Sequence, residues 1–233
     1  ILIVCTPALR VSSSLVKFFG KFFLKDANLM SDGGCNPIKS LSGDFNFSSN
    51  EKSLKISEVN AKFEHGKLFI PELICKFSDK KEVEWLHSPI LIEDLLVNQS
   101  SDFYSIISAS IQLSKINTEP LKLRGNVLMK KSLYQGNGFS KETRPSFLEV
   151  ERALGKGAGV FVDLAFETVE PMKISSGTLN SFAGMNMRMK GLFYEKNPHN
   201  INLSGDVNFR GGTVLLMDKI FSIAHGHMHF QPH

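Results

Sequence analysis

The chain has 233 residues, of which 42% are hydrophobic, and carries a formal net charge of +4 spread over interspersed Lys, Arg, Asp and Glu. That is enough apolar material for a sizeable core, in one elongated domain or two small ones, and too little clustered positive charge for a nucleic-acid surface. Nineteen Phe and eighteen Gly against one Trp and three Tyr, with apolar residues recurring at every second position, favour an all-β protein.

In chain order, residues 1–9 are apolar but fall well short of the roughly 20 residues a membrane helix needs. The chain opens on Ile1 and reads as a piece of a longer protein. Residues 11–24 are expected to form a helix, because Leu15, Phe18, Phe19, Phe22 and Phe23 recur at three- and four-residue spacing behind capping serines. Such a helix would pack in the core, or close one end of a sheet or touch a bilayer surface. Residues 26–37 form a loop. From Leu41 a strand rhythm begins: Phe45 and Phe47, Leu54 and Ile56, Phe63, Leu68 and Ile70, then Leu73, Cys75 and Phe77. Residues 84–99 predict a strand and then a short helix around 92–97, with Pro89 blocking one continuous helix. Alternation returns at residues 106–116, a boundary is placed near residues 117–119, and residues 147–154 predict a short helix within a polar crossover.

Cys5, Cys35 and Cys75 are odd in number and widely spaced, which gives neither a zinc pattern nor a complete disulfide framework and leaves open one bridge between Cys35 and Cys75. No G-x-S-x-G, P-loop, G-x-G-x-x-G or H-E-x-x-H is present, so no catalytic set and no cofactor is assigned. The G-K-G-A-G run ending at Gly159 precedes a strand instead of following one, and reads as a turn. His225, His227 and His229 would share one strand face, a spacing that suits Zn²⁺ or Cu²⁺. The alternative turns them to the wet side, with Met228 and Phe230 on the apolar side, and it is the one that the family resemblance given below implies. Grouping Ile223 with those two requires a bulge, placed at Gly226.

The richest stretch is residues 187–230. Met187 and Met189, Ile201 and Leu203, and Val207 and Phe209 alternate with polar residues, and glycines fall between the runs. The succession Gly191, Pro198, Leu203, Gly205, Gly211 or Gly212, Thr213, Phe221, Ile223, Gly226, Met228 and Phe230 resembles the carboxy-terminal domain of the TamB family. Residues 119–134 and 160–191 are similar to earlier units of that domain, and residues 56–73 resemble the looser repeat of AsmA-like proteins.

The resemblance implies an elongated, antiparallel, U-shaped twisted β-sheet with an apolar groove and one or two short helices, divided into an AsmA-like part (1–118) and a TamB-like part (119–233). The groove would be lined by Val160, Val162, Leu164, Phe166, Met187, Met189, Leu203, Val207, Phe209, Val214, Leu216, Ile223, Met228 and Phe230. It further implies a non-enzymatic periplasmic protein, anchored in the inner membrane through a segment outside this chain. Such a protein carries phospholipid acyl chains between the membranes and supports outer-membrane biogenesis. The rival expectation is an assembly scaffold that adds a strand to an outer-membrane barrel protein of the TamA or BamA type and carries no lipid. Without the resemblance, the alternation favours a closed sandwich over an open trough, and the resemblance reverses that preference.

Overall fold

The computed structural model describes residues 2–12, 15–27, 38–79, 82–100, 102–136, 159–193 and 201–231. Every regular element among them is a strand. In chain order these are β1 (Leu2–Ser12), β2 (Leu15–Ala27), β3 (Ile38–Ser48), β4 (Ser53–Phe63), β5 (Lys67–Phe77), β6 (Val83–Ser100) and β7 (Phe103–Ile116). They are followed by β8 (Leu121–Gly136), β9 (Val160–Thr168), β10 (Met172–Ser176), β11 (Leu179–Phe193), β12 (Ile201–Leu216), β13 (Lys219–Ser222) and β14 (His225–Phe230).

All fourteen belong to one sheet. Strands β1 to β8 pair in sequence order, β9 and β10 lie end to end between β8 and β11, and β13 and β14 lie end to end against β12. Two positions are thus each shared by two strands, and fourteen strands fill twelve positions. At about 4.8 Å per position the sheet is about 50 Å across. Pairing is antiparallel except where β8 meets β9 and β10, which run parallel to it. A meander cannot produce that step; the chain must return to its starting side before β9 begins. Nor does the sheet pause at residues 117–119. β7 and β8 pair from Phe103 opposite Tyr134 to Ser114 opposite Lys122, so the sheet runs through the expected boundary.

The expected helix at residues 11–24 is a hairpin instead: β1 and β2 pair from Leu2 opposite Lys25 to Ser12 opposite Leu15. The three- and four-residue spacing misled because this strand carries phenylalanine on both faces. Phe22 falls on one side by register, while Phe19 and Phe23 fall on the other and are 44% and 42% exposed. Phenylalanine favours strands, and Gly20 would weaken a helix. The expected helix at residues 92–97 is likewise part of β6, and no helix occurs among the described residues. The helix expected at residues 147–154 lies outside them.

One face of the sheet keeps its character from end to end because bulges reset the alternation. In β4, Leu54 and Ile56 share a face with Val59 and Ala61, because Glu58, at φ 53°, supplies an extra residue. In β6, Ile90 and Ile92 share that face with Leu95 and Val97, with Asp94 at φ 52° between them. In β12, Val207 and Phe209 share it with Val214 across an irregularity at Gly211. Each extra residue matches a place where the apolar pattern in the sequence slips by one.

The β6 bulge is tied down on the outer face. The Asp94 N–H donates to Ser108 Oγ (3.1 Å), and the Asp94 carboxylate accepts from Ser108 Oγ (3.2 Å) and from Lys130 Nζ (2.5 Å) on β8. The Lys130 ammonium holds the Asp94 carboxyl below the usual carboxylate range.

Candidate functional site

The register gathers all fourteen expected groove residues on one face. Val160, Val162, Leu164 and Phe166 alternate along β9, and Met189 and Met187 of β11 sit opposite Leu164 and Phe166. Leu203 on β12 is opposite Met189, and Met228 and Phe230 on β14 are opposite Val207 and Gly205. Phe209 faces Ala183, Val214 faces Leu179, and Leu216 follows Val214 two residues on. Ile223 joins through its N–H, which donates to the Gly212 carbonyl (2.8 Å). The slip that brings Ile223 to this side lies at Ile223 and Ala224, between β13 and β14. Gly226, where the bulge was expected, is a regular partner of Phe209.

The groove face is also much longer than the sequence suggested. The same side continues through Leu123, Val127 and Met129 on β8, Ile107, Ala109 and Ile111 on β7, Ile90 and Ile92 on β6, Leu68 and Cys75 on β5, and Phe45 and Phe47 on β3. Most of these positions stand out in the sequence as alternating runs. Only the bulge positions, which join the runs into one face, were illegible.

Every buried apolar side chain among the described residues lies on this face: Ile38, Val59, Ala61, Cys75, Ala109, Val127, Met129, Val162, Leu164, Ala183 and Val207. These burials mark this side as the inner face of the twisted sheet. Among the described residues, substantial strand-to-strand contacts occur only between sheet neighbours. Most inner-face side chains are half-buried, unlike the fully buried interior of a two-layer sandwich. Depth varies along the sheet. Val162 and Leu164 are 7% exposed, whereas Leu203, Leu216 and Met228, near the last strands, are 48%, 55% and 48% exposed.

Compared with family models, curated proteins and solved structures, the chain finds no match.

The outer face carries the charge. Lys67 and Glu93 pair at 3.1 Å, and Arg188 grips Asp163 through Nε (2.7 Å) and Nη2 (2.9 Å). The Arg188 guanidinium lowers the Asp163 carboxyl below its ordinary value. His225, His227 and His229 stand on this outer side by register, as the sequence reading preferred. A carboxylate that sequence proximity could not reveal joins them: Asp206, on β12, has Oδ1 2.9 Å from His227 Nε2 and 2.8 Å from His229 Nδ1. Hydrogen bonds from these imidazoles, His229 first, draw the Asp206 carboxyl down. No group of three or more His, Cys, Asp or Glu side chains among the described residues is arranged to hold a metal ion. Cys75 is a free, buried thiol, and Cys35 lies outside the described residues.

Among the described residues, the first and last strand positions, β1 and the β13–β14 pair, each have a neighbour on one side only. Near the second edge Ile220 is 75% exposed and Phe221 49% exposed, and Met217 in the preceding turn is 97% exposed.

Proposed function

We propose that this chain is a section of a lipid-carrying β-trough of the TamB or AsmA-like kind. It shields phospholipid acyl chains as they cross the periplasm between inner and outer membrane, in support of outer-membrane biogenesis. The observation that carries this reading is the single, largely apolar inner face, continuous from β3 to β14 and for the most part half-buried. Aliphatic, Phe and Met side chains offer an acyl chain contact without hydrogen-bond selectivity. Each buried CH₂ gains about 0.8 kcal/mol, and a face of uniform chemistry gives the chain no deep place to stop. Movement is then passive partitioning, and net direction comes from the anchored end or from a partner barrel. The reading assigns no covalent chemistry to the protein.

A second reading rests on the open edge at β13 and β14, with its exposed Ile220 and Phe221. There the chain would add a strand of an outer-membrane barrel protein and act as an assembly scaffold without lipid cargo.

Native mass spectrometry of the purified chain with lipid extraction, combined with photo-crosslinking from Phe209 and Leu216, separates the two. Co-purified phospholipid that crosslinks at both positions is the expected result. A lipid-free, monodisperse protein with no crosslink at either position overturns the trough reading in favour of the scaffold.

A further inference from the structure

Four polar side chains lie buried on the otherwise apolar inner face: Ser88, Ser105, Lys115 and Ser181. Two are internally satisfied. Ser105 Oγ is 2.8 Å from Ser132 Oγ, and Ser181 Oγ donates to the Gly211 carbonyl at 2.6 Å. The other two are different. Ser88 is 0% exposed and its Oγ has no hydrogen-bond partner. Lys115 is 7% exposed, the only buried charged side chain among the described residues, and it makes no hydrogen bond or ion pair among them.

These two are neighbours. On the inner side of the β6–β7 pair, Lys115 sits opposite Leu86 and Ser88 sits opposite Leu113, which makes them a diagonal pair within reach of a long side chain. Cys75 of β5 is opposite Leu86 on the same side. Burial pushes its thiol up, and the Lys115 charge opposes that shift. Glu84, at the start of β6, is exposed and makes no ion pair with Lys115.

A buried hydroxyl without a partner is unfavourable, and the ammonium beside it, on a side chain 7% exposed, has no counter-ion among the described residues. Both are satisfied by one ligand: an oxygen anion, which accepts from Lys115 Nζ and from Ser88 Oγ at once. We infer that Lys115 and Ser88 form a head-group site for an anionic amphiphile, whose acyl tail then lies along the inner face past Leu113, Ile111 and Ala109. This rests on the trough reading and adds a polar stop to it. The shared ligand chemistry is an anionic oxygen head, carboxylate or phosphate, on an acyl chain.

The test measures displacement of a fluorescent fatty-acid analogue from the purified chain, using oleate, dodecyl phosphate, oleyl alcohol and acetate. Oleate or dodecyl phosphate should bind at least about tenfold more tightly than oleyl alcohol. Whichever of the two binds better identifies the head as that of a fatty acid or of a phosphate-headed lipid. Lys115→Met, which replaces the charge with an apolar side chain of similar length, should fold, remove the preference for the anion and keep oleyl alcohol binding within about twofold. Ser88→Ala should lose part of the preference, about threefold.

An unaltered ratio of anionic to neutral affinity in Lys115→Met overturns the inference, and Lys115→Gln repeats the comparison with a polar, uncharged side chain. Displacement by millimolar acetate alone also overturns it, because the site would then serve free anions. Binding of oleyl alcohol without any preference for the anions sinks this inference and leaves the trough standing. Binding of none of the amphiphiles sinks both.

Discussion

Gly205 gives the sharpest check on the curled, bulged sheet. It sits inside β12 at φ 121°, and a Cβ placed there would lie 2.2 Å from the Asn186 carbonyl oxygen on β11. That is about 1 Å inside van der Waals contact, and the obstacle is backbone in a paired strand, so the ladder itself must move. The unfavourable φ costs of order 1–3 kcal/mol and the displaced ladder adds to it, so Gly205→Ala should destabilise by about 3 kcal/mol. For a chain of this length that lowers Tm by about 6–12 °C.

Two controls bracket it. Gly211 has φ 66° and nothing within 4 Å of the point where a Cβ would sit, so Gly211→Ala should cost only the backbone term, about 1–2 kcal/mol. Gly184 has an ordinary φ and neighbours no closer than 3.8 Å, so Gly184→Ala should be neutral or stabilising by up to about 1 kcal/mol. Thermal melts of the three variants followed by circular dichroism give the ranking. Equal melting of Gly205→Ala and Gly184→Ala would refute the close approach of β11 and β12.

Leu164→Ala, at a site 7% exposed, should destabilise by about 2–5 kcal/mol in a denaturant titration, whereas Met217→Ala, at 97% exposure, should stay within about 0.5 kcal/mol of the parent. Gly43→Ala would place a Cβ 2.7 Å from Phe22 Cζ and 3.2 Å from Val59 Cγ2. Its cost should shrink in a Phe22→Leu background, and a double-mutant cycle with no coupling would rule out that contact between ring and glycine. Arg188 lowers the Asp163 carboxyl, so that group contributes stability that is fully present above its unfolded value, near pH 4, and is lost as pH falls through the lower folded value. The stability advantage of the parent over Asp163→Asn should therefore shrink as pH is lowered below about 4, as measured by unfolding midpoints across the acid range.

Strand type and sidedness were legible where the alternation is clean. Val160 to Phe166 and Ile201 to Phe209 declare both, and the expected groove residues share a face because each clean run stays on one side of its own bulge. The bulges themselves carry weak signals. Glu58 and Asp94 adopt positive φ without being glycine, and nothing in their local sequence separates them from ordinary polar strand residues. The Ile223 slip was foreseen in kind but assigned to Gly226, since glycine is the usual marker, while the chain turns at Ala224 beside Gly211. The hairpin at residues 11–24 was missed because aromatic residues on both faces of a strand imitate a helical stripe. Asp206 joins the histidines only through β12–β14 pairing, and the Lys115 and Ser88 pair exists only through β6–β7 register. No linear spacing announces either.

The two edges left without a second neighbour among the described residues set how such a sheet can grow. A closed barrel fixes strand number, tilt and stagger together, so adding a strand rebuilds the whole. An open trough carries no such constraint. Inserting or deleting one hairpin changes its span by about 10 Å and leaves every other pairing as it was. Span is then a modular quantity, changed in hairpin-sized steps, while the chemistry of the inner face stays the same.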